Sequence, residues 1–317
     1  MRIILFIYSI FLSLHVQAFS SLNLESLPFN YFQAKGTHNS YHIRPRLVVD
    51  ESFNYSHKSI LAQLETYGIR QLELDININR KNELKVNHLP FIDFKSHCVL
   101  LKDCLTTIKE WSDRNKSHYP VVVWIEPKVN FIYRFHPKYK KFKIEHVYKA
   151  ENLINSIFSK DDLFIPDQLR GDSLDLPSAL KEKGWPSLKN LRGKVMFVLL
   201  NTKKLRDEYT KEALNLEGKT LFVQSTSPTA PSAAFFKEHN LEGFGNSQQL
   251  LKNNFILTMM SDRKAKSFEN NKKQINECID NGIHFLSGDN TTNDRLYPEV
   301  YFQEEAILNT KVIELNQ

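Results

Sequence analysis

Four short segments, in order along the chain, bring together groups that can trade a proton beside a hard cation. They are Gly36-Thr37-His38-Asn39-Ser40-Tyr41-His42, Glu73-Leu74-Asp75, His88, and Glu126-Pro127-Lys128. Histidine titrates near neutral pH, so His38 and His88 suit general acid–base work. The Asn39 amide and the Glu73, Asp75 and Glu126 carboxylates are oxygen donors of the kind that calcium gathers. A cation held by them would offset charge growing on a phosphoryl group. The chemistry implied is metal-assisted cleavage of a phosphodiester.

The elements that must position these groups are β-like. Ile69 to Ile78 reads IRQLELDINI, with strict alternation from Leu72 onward. That is a strand of period two, so Glu73 and Asp75 share one face and Leu72 and Leu74 the other. If the leucines face a helical layer, the carboxylates face the inside of a sheet or barrel. Two like charges buried together need compensation, and a bound cation supplies it. The alternative is a solvent-facing acidic strand edge. Val121 to Ile125 is a continuous apolar run, as in a strand buried on both faces, and Glu126 closes it. Glu126 and Lys128 share a face, which leaves a plain salt bridge open as the second reading. His88 follows the short run Leu84 to Asn87, and His38 follows Tyr31 to Lys35 and Gly36. Either histidine alone reads equally as a hydrogen-bonded structural residue.

The order His-Asn, Glu-x-Asp, His, Glu sits within GTHNSYH, SHKSILAQLETYGIRQLELDI and VNHLPFIDFKSHCVLLKDCLTTIKEWSDRNKSHYPVVVWIEPK. This resembles the calcium-dependent phosphatidylinositol-specific phospholipases C, above all their exported bacterial branch, nearly from Gly36 to Lys128. The resemblance implies His38 and His88 as the acid–base pair and Asn39, Glu73, Asp75 and Glu126 as calcium ligands. Lys128 would lie near the phosphate or the inositol ring. The implied reaction releases diacylglycerol and inositol 1,2-cyclic phosphate. The chain departs from the pattern late. An arginine-bearing strand is expected where Phe255 to Asp262 stands, but its arginines are absent and Arg263 lies just beyond. A threonine is expected before Asp289, where Gly288 stands. Arg263 and Asp289 remain the head-group candidates.

The whole chain fits one domain, a (β/α)8 TIM-type barrel with some distortion. Candidate strands begin near Tyr31, Ile69, Leu84, Val121, Val195, Leu221, Phe255 and Ile283. The clearest helical patterns are Thr106 to Asn115, His146 to Phe158 and Lys266 to Asp280. His38, Asp75, His88 and Glu126 all follow strand-like runs, where such barrels carry their catalytic groups.

Met1-Arg2, the apolar run Ile3 to Val16 and the small-residue pattern Val16-Gln17-Ala18 read as a signal peptide over residues 1–18. Cleavage after Ala18 leaves 19–317 as a secreted or periplasmic catalytic domain. Of the three cysteines, Cys98 and Cys104 are spaced to bridge in an oxidising compartment, and Cys278 reads as a buried single thiol. A metal site of His97 with those two cysteines is the lesser alternative. The net charge of +6 is dispersed, which argues against nucleic acid, and a monomer is expected. One basic cluster stands out, FIYRFHPKYKKFKIEHVY from Phe131 to Tyr148. Rings among lysines suit peripheral contact with a phospholipid membrane, or a loop packing its aromatics onto the barrel.

Two rivals differ in class. Glycerophosphodiester phosphodiesterases and sphingomyelinase-D-like enzymes share His, Glu-x-Asp and His. The former generally carry His-Arg-Gly where this chain has His38-Asn39-Ser40. A non-catalytic lipid- or glycan-binding barrel would keep the constellation without turnover.

Overall fold

The structure is a computed structural model that describes residues 23–129, 136–200, 203–293 and 301–316. The segment read as a signal peptide lies outside them. Eight parallel strands form the barrel wall: β1 (Phe32–Thr37), β2 (Gln71–Asn79), β3 (Val121–Pro127), β4 (Val195–Leu199), β5 (Phe222–Val223), β6 (Phe235–Glu238), β7 (Ile256–Asp262) and β8 (Phe285–Gly288). Their order around the wall is β5-β4-β3-β2-β1-β8-β7-β6. The seam between β5 and β6 closes through the bridge Gln224–Phe235 and the Ser225 N–H to Phe235 carbonyl bond of 2.8 Å.

Burial follows the pattern of the residues. Val121 to Ile125 of β3 are fully buried, as a strand covered on both faces must be. In β2, Leu72, Leu74, Ile76 and Ile78 join the apolar core, while Glu73 and Asp75 are buried on the opposite face. The helix Leu101–Arg114 buries Leu101, Cys104, Leu105, Ile108 and Trp111, an apolar stripe at helical spacing. The helices Ile144–Ile157 and Phe268–Asp280 match the other two expected patterns. Among the described residues no helix is long and apolar enough to cross a membrane.

One expected barrel strand has a different role. Leu84–Val86 pairs antiparallel with β2, with Val86 opposite Ile76. β2 is the longest strand, overshoots the barrel, and is folded back by this hairpin. The return delivers His88 to the same end as Asp75. The eighth barrel strand is β6, whose Phe-Phe-Lys-Glu is too short to show a period. Cys98 and Cys104 form a disulfide with Cα atoms 5.3 Å apart, tying the loop after His88 to the helix behind it. Cys278 is a buried free thiol.

Candidate metal and acid–base site

The turn after β1 is locked to β2 by one serine. Ser40 N–H donates to the Glu73 carbonyl at 3.0 Å, and Glu73 N–H donates to Ser40 Oγ at 2.7 Å. On the other side, His38 N–H donates to the Gly288 carbonyl at 3.0 Å. His38 and Asn39 therefore have a fixed register against both neighbouring strands. Asn39 takes a left-handed backbone, φ 48°, a region that asparagine tolerates better than most residues.

The carboxylates of Glu73, Asp75 and Glu126 meet at the C-terminal end of the barrel. One ligand atom from each lies within 4.8 Å of the others. Asp75 Oδ2 accepts from Tyr41 Oη and from Lys128 Nζ, both at 2.7 Å. Tyr41 Oη also lies 3.4 Å from Asn39 Oδ1, so the amide borders the same cluster. Lys128 reaches Glu126 Oε1 at 3.0 Å, and Lys237 from β6 pairs with Glu73 Oε2 inside the barrel. Asp75 Oδ1 is buried and accepts no hydrogen bond from the described residues. Burial, joined by the Glu126 and Glu73 charges and opposed by Lys128, pushes the Asp75 carboxyl up to about 8. Two lysines thus leave the three acids under-compensated. That donor set, all oxygen with one atom unbonded, fits a calcium ion.

Both candidate histidines are oriented by carboxylates. His38 Nδ1 lies 2.8 Å from Asp289 Oδ1, and its Nε2 lies 3.8 Å from Glu73 Oε1. His88 Nδ1 lies 2.8 Å from Asp93 Oδ2, and the same carboxylate holds His42 Nε2 at 2.8 Å. Burial alone would raise the Asp93 carboxyl, but its bonds to His42 and His88 hold it below the usual range. His57 braces the turn from below, its Nε2 bonded to the His38 carbonyl at 2.8 Å.

Every expected site residue lies at this end of the barrel, though some stand differently than expected. Lys128, expected at the phosphate or the inositol ring, bridges Asp75 and Glu126, so the salt-bridge reading of Glu126 holds as well. Asp289, expected at the head group, has one oxygen on His38 and the other on the Lys264 N–H at 3.0 Å. Gly288 before it has no room for a side chain, because a Cβ there would collide with the Asp262 carboxylate. Arg263 follows β7 with its backbone fixed by Asn271, and burial of His239 together with the Arg263 charge lowers the pKa of His239. Lys237, Asp93 and His239 were not anticipated. Only Asp93 carried a signal, an acid between Ile92 and Phe94 close after His88.

Part of the aromatic-basic segment turns inward where it is described. Phe142 is buried and packs on the His146 ring. Tyr139 belongs to a two-residue strand that pairs antiparallel with the end of β2, and its hydroxyl accepts a bond from Asn87 Nδ2 at 2.5 Å. Phe142 thus supports the barrel, as the alternative reading of this segment expected, while Lys138, Lys141 and Lys143 stay exposed. Phe131 to Phe135 lie outside the described residues.

The family model described as "Phosphoinositide phospholipase C, Ca2+-dependent" matches residues 77–305, starting two residues after Asp75 and including His88, Glu126 and Lys128. No curated protein matches in sequence. Among solved structures, the chain is similar to a calcium-dependent phosphoinositol-specific phospholipase C from Pseudomonas sp. The TM-score is 0.61 at 18% identity, covering 90% of this chain and 96% of that one. It is also similar to a Ca2+-dependent phosphatidylinositol-specific phospholipase C from Streptomyces antibioticus, with TM-score 0.60, 16% identity, and 83% and 94% covered. A third is the S. officinalis PLC21, at TM-score 0.56 and 14% identity, where 93% of this chain covers 38% of that one. At these identities the shared property is the fold.

Proposed function

Because the chain belongs to the Ca2+-dependent phosphoinositide phospholipase C family, we propose that it cleaves phosphatidylinositol to diacylglycerol and inositol 1,2-cyclic phosphate. The observation that carries this reading is the grouping of Glu73, Asp75 and Glu126 within 4.8 Å, with His38 Nε2 at its edge, 3.8 Å from Glu73. In this reading Asn39, Glu73, Asp75 and Glu126 hold the calcium ion. The chemistry calcium supplies when bound is neutralisation of the charge that grows on the phosphoryl oxygens.

The remaining steps belong to side chains. The inositol 2-hydroxyl is tethered beside the phosphorus, so its attack is intramolecular and far more probable than attack by water. The bond from its oxygen to phosphorus forms as the bond to the glycerol oxygen breaks. One of His38 and His88 takes the hydroxyl proton, and the other delivers a proton to the leaving oxygen. Each ring has Nδ1 on a carboxylate, Asp289 or Asp93, so Nε2 is the nitrogen each presents. His239 and Arg263 follow the adjacent strands β6 and β7 and suit an anionic head group. A cyclic product that stays bound is open to hydrolysis to inositol phosphate.

Phosphorus NMR of the early reaction tests the proposal. A cyclic phosphate signal should appear first. Phosphatidic acid, or glycerol phosphate from a deacylated substrate, would overturn it. The same reading places the protein outside the cytoplasm, supported by the Cys98–Cys104 disulfide. Mass spectrometry of protein from its native host should then find Phe19 as the first residue, whereas soluble protein that retains Met1 would refute export.

A further inference from the structure

Asp262 closes β7 and is fully buried. A bulge aims it. Ser287 of β8 pairs with Met260 and Gly288 with Asp262, so β7 carries one extra residue, Ser261, at that step. A bulge of this kind bends the strand and re-aims its side chains. The Asp262 carboxylate lands where a side chain on Gly288 would stand. The glycine found in place of the expected threonine is therefore the space that Asp262 fills.

Donors surround this carboxylate. Oδ1 accepts from the Asp289 N–H at 3.1 Å, the Asn290 N–H at 2.9 Å and Asn290 Nδ2 at 2.7 Å. Oδ2 accepts from Tyr301 Oη, which lies 2.7 Å from Ser261 Oγ. A buried carboxylate needs such bonds to offset its lost hydration, and all but the Tyr301 bond come from the loop that carries Asp289. Two residues further on, the Lys264 N–H holds Asp289 Oδ2 at 3.0 Å. The exit of β7 thus grips Asp289 by its backbone and by one carboxylate oxygen. The other oxygen is left for His38 Nδ1 at 2.8 Å. The next anchors of this loop lie beyond Asn290, with Thr291 Oγ1 on the Gly36 carbonyl and Thr292 Oγ1 beside His57 Nδ1.

We propose that Asp262 is a positioning residue: its carboxylate sets the backbone of Asp289 and, through Asp289, the direction of the His38 ring. The property required is acceptance of the loop N–H groups, not the charge. The consequence for turnover rests on the phospholipase reading, while the consequence for the ring does not.

Nitrogen-15 NMR of histidine-labelled protein tests the ring without any substrate, with His38→Ala assigning the signal. Neutral His38 in the wild type should carry its proton on Nδ1. Asp289→Ala and Asp262→Ala should both lose that preference. Asp262→Asn should keep it, because its amide oxygen still accepts from the loop. Steady-state kinetics tests the consequence. Asp262→Ala should lower kcat about 10²-fold, the loss that a displacement of about 1 Å can produce, with KM and calcium affinity near wild type. Asp262→Asn should restore most of the rate. In the Asp289→Ala background, Asp262→Ala should cause no further loss, since both changes break one chain of contacts. Should Asp262→Ala fail to fold, Gly288→Ala pushes the same carboxylate aside with one methyl group and should give the same two results.

A wild-type ring signal and kcat in Asp262→Ala or Gly288→Ala would overturn the proposal. So would an Asp262→Asn protein as impaired as Asp262→Ala, or losses that multiply in the double variant. A wild type inactive on every inositol lipid would refute the phospholipase reading, and the His38 signal would still decide the positioning.

Discussion

Asp289 Oδ1 stands 2.8 Å from His38 Nδ1 and fixes the ring with Nε2 toward Glu73. Burial disfavours the imidazolium, yet the charges of Glu73 and Asp289 outweigh it and raise the His38 pKa. Asp289→Asn keeps the shape and removes one of those charges. It should lower kcat by roughly 10²-fold with little change in KM. Whichever limb of the pH–rate profile His38 sets should move to lower pH, since the variant histidine loses a proton more readily. Steady-state kinetics across pH measures both effects, and an unshifted profile would make Asp289 merely structural.

Calcium should be required and selective. Glu73→Gln, Asp75→Asn and Glu126→Gln each remove a charged donor, and each should weaken calcium affinity by about 100-fold or more. Calorimetric titration reads this without any substrate. Chelation should silence the wild type, and calcium should restore it better than magnesium, because a set of flexible carboxylates suits the larger ion.

The Lys237–Glu73 pair yields a prediction about stability. Both partners are buried, so Lys237→Met leaves a carboxylate without its lysine. Breaking such a pair costs about 3–5 kcal/mol. Calcium on Glu73 should return much of that loss. Thermal unfolding of the variant should therefore respond to calcium more strongly than unfolding of the wild type.

Three buried histidines set the acid limit of the fold. Burial lowers His57 and His118 to about 4 and His284 to about 3. Each is neutral when folded and gains a proton more readily when unfolded. Their stabilisation is complete above the ordinary histidine value of 6.5 and is lost as pH falls toward the folded values. The loss approaches about 1.4 kcal/mol per pH unit for each histidine. The urea midpoint should drop steeply between pH 7 and 5, and a flat midpoint would contradict the burial.

What could be read from sequence was local. Glu73 and Asp75 declare their shared face through two-residue alternation, and Val121 to Ile125 declares burial by being apolar throughout. The direction in which a strand pairs leaves no such trace. Leu84–Val86 therefore looked like a barrel strand, although it returns antiparallel along β2. β6 has four residues and no alternation, and Lys237 went unnoticed with it. The His38–Asp289 bond joins residues 251 positions apart and exists because β8 lies beside β1. Only closure of the barrel creates that neighbourhood.

The seam between β5 and β6 gives the barrel a weak hinge line. β2 and β3 share six register pairs, but here a two-residue strand meets its neighbour through a single bridge. The wall behaves as a curled sheet pinned at one edge. Amide protons along β5 and β6 will exchange with solvent before those of β2 and β3. Lys237 sits beside that seam, so the charge opposite Glu73 is carried by a strand held by four register pairs with β7 on one side and by the Gln224 side chain on the Lys237 carbonyl on the other.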